Sequence, residues 1–294
     1  MIIREILGHC LKHRLIQCRC LAAGLLMVGT LAMGSALAAK PAGAATMTEQ
    51  QETEMPVDHQ AWQRLLNAYL VEGEAGAPNL FNYAALSANE ADRDALELYI
   101  TGLEGTSVSK LSRNEQFAFW ANLYNATTVR VILDHYPVRT IRDIGISPGL
   151  FSKGPWGAKL VTVEGKKLSL DDIEHVILRA GWQDPRVHYA VNCASIGCPD
   201  LPTKPFAGKT LEADLDAAAR AYINAPRGVT AGKNGLTLSK IYDWYSEDFG
   251  GSSRDLLNHL SQYADEELGA ALASSPRIRS YAYDWSLNEA PSKR

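Results

Sequence analysis

A long helical pattern between Ser112 and Pro137 constrains the fold of this chain more than any other feature. The segment reads NEQFAFWANLYNATTVRVILDHY; a capping box, Ser112-Arg-Asn-Glu115, precedes its apolar residues and Pro137 ends it. Apolar side chains recur at helical spacing along the segment, and other elements must cover them. The pattern therefore predicts a long helix at the centre of the fold.

Shorter patterns on both sides of this helix predict further helices and two β-hairpins. The hairpin turns are Glu164-Gly165 and Lys233-Asn234-Gly235, each between short runs that read as strands. No internal repeat, heptad pattern or long linker divides residues 58–294. The sequence thus predicts a single compact α+β domain, with the long helix packed on a small, mostly antiparallel sheet. Papain-like and transglutaminase-like topologies are compatible with this arrangement.

Residues 1–38 have the pattern of a signal peptide. Basic residues precede a short apolar run that ends in the small residues of Ala36-Leu37-Ala38. Because the run does not end in a basic flank, cleavage after Ala38 is favoured over retention as a membrane anchor, and Ala44 marks a second candidate site. Residues 39–57 contain little that could pack and are predicted to be a flexible lead-in. We expect the mature protein in the periplasm or outside the cell.

The charge of the chain argues against two classes of partner. The net charge is −4, and removal of residues 1–38 makes it −7, because that segment carries four basic residues and one acidic residue. Such a surface offers no electrostatic attraction to nucleic acid or to an anionic bilayer. We therefore expect no nucleic-acid partner and, after signal cleavage, no membrane contact.

The stretch RVHYAVNCASIGCPDLPTKP, residues 186–205, holds the candidate chemistry. Its first part, Val187–Cys193, is predicted to be a strand, because β-branched and aromatic residues follow an Asp184-Pro185 turn. Alternation along a strand would place His188 and Asn192 on one face and Cys193 on the other. A direct contact between His188 and Cys193 would then need a β-bulge.

Cys193 and Cys198 remain after removal of the signal segment, and they leave two kinds of chemistry open. A disulfide that closes a loop of four residues is the favoured interpretation in an oxidising compartment. The alternative is a thiol hydrolase or acyltransferase, with Cys198 or Cys193 as the nucleophile and His188 as the base. Asp243 or Asn122 would then orient the imidazole. The helix N-terminus that usually activates such a cysteine is missing here.

The sequence indicates neither a metal nor another cofactor. A zinc site of His175, His188, Cys193 and Cys198 is disfavoured, because the spacings do not match a compact zinc knuckle and strand alternation separates the ligands. The chain contains no phosphate-cradling glycine loop and no H-E-x-x-H motif.

Polar side chains on two predicted helices are further site candidates. Asn122 and Asn125 lie three positions apart on the long helix, where they either hold a neighbouring loop, which is the favoured interpretation, or line a pocket. Glu174 and His175 are adjacent on the helix that a second capping box opens, and either a site or an ordinary helix surface explains them.

Aromatic residues offer a third type of candidate. Trp120 and Trp244 are candidates for a groove that binds a cell-envelope glycan or peptide, although core burial is the common fate of aromatic side chains. Asn192 is instead a candidate of the site that His188 and Cys198 would form. Glu247 and Asp248 are adjacent in sequence. Their carboxylates could be assigned as an acid/base pair only if both were known to face one cleft.

Four motifs together resemble one family. They are NEQFAFWANLYNA, LSLDDIEHVILR, DPRVHYAVNCASIGCPDLP and IYDWYSEDF, in this order between Leu111 and Phe249. In these motifs the chain is similar to the domain-of-unknown-function family 547, which is found in bacterial secreted proteins and in plant proteins. The resemblance implies a family without a settled activity. A binding or structural module of the cell envelope is therefore the leading interpretation, with the thiol-dependent enzyme as the alternative.

Overall fold

The long helix predicted between Ser112 and Pro137 is present and is one of the principal elements of the fold. A computed structural model describes residues 56–74, 76–149, 153–274 and 276–291. Its helices are α1 (Gln60–Tyr69), α2 (Tyr83–Ala88), α3 (Glu90–Glu104), α4 (Arg113–Asp134), α5 (Ala180–Trp182), α6 (Val187–Ala190), α7 (Leu211–Ile223), α8 (Ile241–Trp244), α9 (Ser253–Tyr263) and α10 (Glu266–Ala273). A π-helix, Asp172–Arg179, leads directly into α5. Its strands are β1 (Leu70–Val71), β2 (Leu80–Phe81), β3 (Val161–Val163), β4 (Lys166–Leu168), β5 (Val229–Gly232), β6 (Gly235–Ser239) and β7 (Ile278–Ala282).

Helix α4 is buried on nearly all sides. Every residue from Phe117 to Leu133 except Arg130 is buried, which is more than the single covered face that the sequence required. The Ser112 hydroxyl accepts the backbone N–H of Glu115, as in the predicted capping box. The Glu115 carboxylate, however, does not return to the cap. It accepts the backbone N–H groups of Val57 and Gly208 at 2.9 and 2.7 Å, and so ties two distant segments to the start of α4.

The predicted α+β class is confirmed. Among the described residues the strands form three small sheets, β1-β2, β3-β4 and β5-β6-β7. The two predicted hairpins are β3-β4 and β5-β6, both antiparallel, whereas β7 joins β6 in parallel. The neighbours of α4 are mainly helical, and include α2, α3, α7 and the π-helix. The described residues belong to one compact unit.

The buried apolar side chains of the described residues form two clusters. One surrounds α4 and includes the helices before it and the β3-β4 hairpin. The other lies between α7, α9 and the β5-β6-β7 sheet. Val187 belongs to the first cluster and Tyr189 to the second, so α6 spans the junction between them. His188 lies between these two residues and is therefore held where the clusters meet.

The N-terminal predictions fall outside the part of the chain that the structure describes. This applies to the signal peptide, residues 1–38, and to all but the last two residues of the lead-in, 39–57. Among the described residues, none of the helices combines the length and the apolar character needed to cross a membrane.

Candidate functional site

The segment Val187–Cys193, predicted as a strand, begins instead with the helical turn α6. The His188 N–H donates to the carbonyl of Pro185 at 3.2 Å, and the Arg186 N–H donates to the Asp184 carboxylate at 2.8 Å. The turn at Pro185-Arg186 therefore continues directly into α6, whereas the sequence prediction interpreted Asp184-Pro185 as a turn before a strand. The predicted strand was therefore wrong, and the alternation argument that separated His188 from Cys193 does not apply.

The imidazole of His188 is enclosed by acidic and aromatic groups. Its side chain is 1% exposed, and its Nε2 lies 2.6 Å from Oδ2 of Asp248. Nδ1 faces Oε1 of Glu174 at 3.9 Å, and the ring stacks on Tyr245 with 4.3 Å between centroids. Both ring nitrogens therefore face carboxylates. Within the described residues neither cysteine sulfur forms a hydrogen bond with this imidazole.

The acid that faces His188 is Asp248 and not the predicted Asp243. Asp243 is exposed on α8 and pairs with Lys240 at 3.3 Å, as residues three apart on a helix commonly do. Asp248 lies one turn further along the chain, where a 3₁₀ turn directs it toward His188. Both acids follow an aromatic run, and no local signal in the sequence distinguishes them.

Asp248 also binds a cation, the guanidinium of Arg179 on the π-helix. Nε of Arg179 lies 2.6 Å from Oδ2 of Asp248, and its guanidinium lies over the Tyr245 ring at 4.6 Å. Burial of the Asp248 carboxylate opposes its ionisation. The hydrogen bonds from His188 and Arg179 outweigh that effect and hold the pKa of Asp248 well below its usual range.

The π-helix brings Glu174, His175 and Arg179 to the same part of the site. Glu174 is buried and accepts the Tyr124 hydroxyl at 3.1 Å, so it lies beneath the surface beside His188. The His175 side chain is 33% exposed, and its Nδ1 lies 3.2 Å from Nη1 of Arg179. The sequence predicted an ordinary α-helix here; the wider π turn, which recurs at functional sites, was not predicted.

Cys193 and Cys198 are free thiols with their sulfur atoms 2.7 Å apart, so the predicted disulfide is not found. Cys193 is half-buried and its sulfur lies 3.0 Å from the Tyr283 hydroxyl, whereas Cys198 is buried. Burial opposes ionisation of Cys193, but its hydrogen bonds with Cys198, Tyr283 and Ser195 lower the pKa of its thiol. Burial raises the pKa of Cys198. The two thiols are therefore unequal.

The three candidate asparagines belong to the framework of the site and do not line a cleft. Asn122 donates to the carbonyl of Phe206 at 2.8 Å and accepts its N–H at 3.0 Å. Asn125 donates to the carbonyl of Ala190 at 2.9 Å and accepts the N–H of Asn192 at 2.8 Å. The Asn192 side chain in turn binds backbone groups of its own loop. All three are buried, and this is the structural alternative of the two that the sequence left open.

The two candidate tryptophans have different positions. Trp120 is buried in α4 against Phe119, and it takes no part in a surface groove. Trp244 is 39% exposed and belongs to a group that we call the aromatic shelf. The aromatic shelf consists of partly exposed side chains in mutual contact: Trp156, Trp244, Tyr283 and Trp285.

Ring contacts make the aromatic shelf continuous. Trp285 lies at its centre, with ring centroids 4.5 Å from Tyr283, 5.6 Å from Trp244 and 5.9 Å from Trp156. The guanidinium of Arg142 lies over Trp285 at 5.0 Å. Tyr283 links the shelf to Cys193 through its hydroxyl. Tyr283 and Trp285 are two positions apart, a spacing that places both rings on one side of an extended chain.

The zinc alternative gains no support from the arrangement of side chains. Among the described residues, no group of three or more His, Cys, Asp and Glu side chains is arranged to hold a metal ion. The side chains that do converge are a buried acid–imidazole network, a thiol pair and an aromatic surface.

Comparison with known proteins gave a family match that covers part of the chain. Residues 108–223 match the family model DUF547, a protein of unknown function. This match supports the resemblance noted in the sequence and covers α4, the π-helix and the Cys193–Cys198 loop. DUF547 supplies no reaction for the site. Searches of curated proteins and of solved structures gave no match.

Proposed function

We propose that this protein is a DUF547 member that acts as an exported binding module of the cell envelope, and that its ligand stacks on the aromatic shelf. The observation that carries the proposal is a continuous group of four contacting aromatic rings, of which Trp244 is exposed and the other three are partly exposed. Contiguous apolar patches on a soluble protein commonly mark interaction sites, whereas aromatic side chains with only a packing role are usually covered. Export is supported by the signal-peptide pattern of residues 1–38.

The buried state of His188 argues against the thiol hydrolase or acyltransferase. A general base must reach the proton that it removes, at about 2.6–3.2 Å or through one water molecule. Both nitrogens of His188 are instead directed at Asp248 and Glu174, and its side chain is 1% exposed. These contacts support a structural role for the His188 imidazole, namely that it holds the two apolar clusters together at their junction.

A glycan is the ligand class that the aromatic shelf fits best. Sugar rings present a flat C–H face that stacks on an indole, and their hydroxyl groups find donors and acceptors at the edge of the stack. The guanidinium of Arg142, which lies over Trp285 at 5.0 Å, is such a group. The Arg142 cation favours a glycan that carries acidic groups.

The test is a fluorescence titration, because three of the four shelf residues are tryptophans. Soluble acidic and neutral oligosaccharides would be added to the wild-type protein and to Trp244→Ala and Trp285→Ala. We expect saturable binding by the wild type and binding about tenfold weaker in either variant, equivalent to about 1.4 kcal/mol. The acidic oligosaccharides should bind more tightly than the neutral ones, and this preference should decrease in added salt.

The matched control is Leu98→Ala, which removes another exposed apolar side chain, 72% exposed on α3, outside the shelf. It should bind like the wild type. Equal binding by Trp244→Ala and the wild type would contradict the proposal, as would saturable binding of unmodified peptides with no binding of oligosaccharides. Circular dichroism of each variant would verify that the fold is retained.

A further inference from the structure

The two thiols beside the aromatic shelf have the geometry of a pair that exchanges with a disulfide. A disulfide bond needs a sulfur–sulfur distance of about 2.05 Å, and the sulfur atoms of Cys193 and Cys198 are already 2.7 Å apart. Closing the bond therefore requires a sulfur displacement of well under one ångström. The free and the bridged states can share one backbone conformation.

The backbone of the loop between the cysteines is held from outside. The N–H groups of Ile196 and Gly197 donate to the carbonyls of Ser286 and Asp284, both at 2.8 Å. The carbonyl of Gly197 also accepts the hydroxyl of the buried Tyr222 at 2.7 Å. The C-terminal segment thus fixes the loop. The loop therefore keeps its shape whether the S–S bond is formed or cleaved.

The two cysteines differ in accessibility in the way that an exchange pair needs. Cys193 is only partly buried, which makes it the more accessible residue of the pair, and the Tyr283 hydroxyl at 3.0 Å is placed to stabilise a thiolate there. Cys198 is buried, and its sulfur accepts the backbone N–H of Cys193 at 2.9 Å. An accessible thiol next to an inaccessible one assigns the first to attack and the second to resolution.

We propose that Cys193 and Cys198 are a thiol–disulfide exchange pair acting on disulfide-bearing substrates. In the first step the Cys193 thiolate attacks one sulfur of the substrate disulfide, which forms a mixed disulfide and releases the other substrate sulfur as a thiolate. In the second step the Cys198 thiol loses its proton and attacks the Cys193 sulfur, which releases the remaining substrate thiolate. The net reaction converts one dithiol and one disulfide into one disulfide and one dithiol; the released thiolates take up the two protons that the cysteines lose.

This activity is separate from the proposed glycan binding, and its test uses mass and not fluorescence. The full chain would be reduced, freed of reductant and incubated with oxidised glutathione, then alkylated and digested. Cys198→Ser should trap glutathione on Cys193, whereas Cys193→Ser should take up at least tenfold less on Cys198, because that sulfur is buried. The wild type should accumulate the internal Cys193–Cys198 bridge, and reduced glutathione should open it again.

Tyr283→Phe tests the assigned thiolate stabilisation without altering either cysteine. It should slow adduct formation in the Cys198→Ser background by about fivefold. Tyr281→Phe, two residues earlier on β7, is the matched control and should leave the rate unchanged. Peptide masses identify the modified cysteine, so signal-segment cysteines that remain do not affect the result.

Two results would overturn the proposal. One is a bridge that glutathione neither forms nor opens, since that would make it a permanent structural disulfide or an inert thiol pair. The other is equal glutathione uptake by Cys193→Ser and Cys198→Ser, since the assigned order of attack requires unequal thiols. Loss of oligosaccharide binding with normal exchange, or the reverse, would separate this proposal from the glycan-binding one.

Discussion

The buried polar network depends on one residue, Asp248. It contacts His188 and Arg179 with one oxygen, at 2.6 Å each, while its own side chain is 27% exposed. Removal of one partner from such a network leaves the remaining charged groups without compensation. Asp243, five residues earlier, has the same side chain but only an exposed contact with Lys240.

Asp248→Asn should therefore lower the free energy of unfolding by about 2 kcal/mol at pH 7, as measured by urea denaturation. Asp243→Asn is the matched control and should change it by less than about 0.5 kcal/mol, because exposed ion pairs contribute little. Equal effects of the two substitutions would mean that the buried network does not stabilise the fold.

The stabilisation by Asp248 should also depend on pH in one direction. The folded protein holds the pKa of this carboxyl below the value of about 3.9 that an unfolded chain has. The unfolded state therefore binds the proton more readily. The stabilisation is present above that pH and is lost as the pH falls toward the lowered folded value. The stability difference between wild type and Asp248→Asn should decrease on acidification below pH 4.

At the scale of elements, α4 holds the site through its asparagines. Asn125 joins α4 to the end of α6 by satisfying the carbonyl of Ala190 and the N–H of Asn192, both of which are buried. Backbone groups without a partner in the interior cost about 1–3 kcal/mol each. Thr128, one turn further along α4, is equally buried, but its hydroxyl has no hydrogen-bond partner among the described residues.

Replacement of these two α4 side chains by apolar ones should change the free energy of unfolding in different ways. Asn125→Leu should destabilise the protein by about 3 kcal/mol, because two buried backbone groups lose their partner. Thr128→Val removes an unsatisfied hydroxyl at constant shape and should be neutral or slightly stabilising. Urea denaturation of both variants measures the difference. A cost for Thr128→Val as large as that for Asn125→Leu would show that the asparagine bonds are not the cause.

At the scale of the whole molecule, the arrangement joins two apolar clusters through α6 and places the aromatic shelf and the thiol pair side by side. The chain around these features is acidic, and the charge of −4 becomes −7 without residues 1–38. Such a net charge gives no general attraction to an anion, so the proposed preference for acidic glycans rests on the local positive charge of the Arg142 guanidinium over Trp285. The proposed location requires that residues 1–38 be removed during export.

Expression of the full chain in a bacterial host should therefore give a periplasmic or secreted product that begins at Ala39 or, for the second candidate site, at Ala45. N-terminal sequencing and intact mass measure this directly. A leucine-to-arginine substitution in the apolar run, Leu25→Arg, should block processing and retain the product in the cytoplasm. Recovery of a full-length wild-type chain that begins at Met1 in the membrane fraction would contradict cleavage.

Elements with a local signal could be predicted from the amino-acid sequence. Helix α4, its Ser112 cap and both hairpins follow from periodicity and from turn residues a few positions apart, because backbone geometry alone sets those patterns. Local signals failed at Val187–Cys193, where Asp184-Pro185 suits both a turn and a helix start. They also failed at the π-helix, which adds no distinctive periodicity to an amphipathic segment.

The contacts between distant side chains could not be predicted from the sequence. His188 pairs with Asp248, which is 60 positions away, and Trp285 joins Trp156 and Trp244 from separate segments. Such pairs depend on how the two apolar clusters dock, and that docking is set by the packing of many distant residues at once. The chemical type of each candidate side chain could therefore be recognised in the sequence, whereas the residue that it contacts could not.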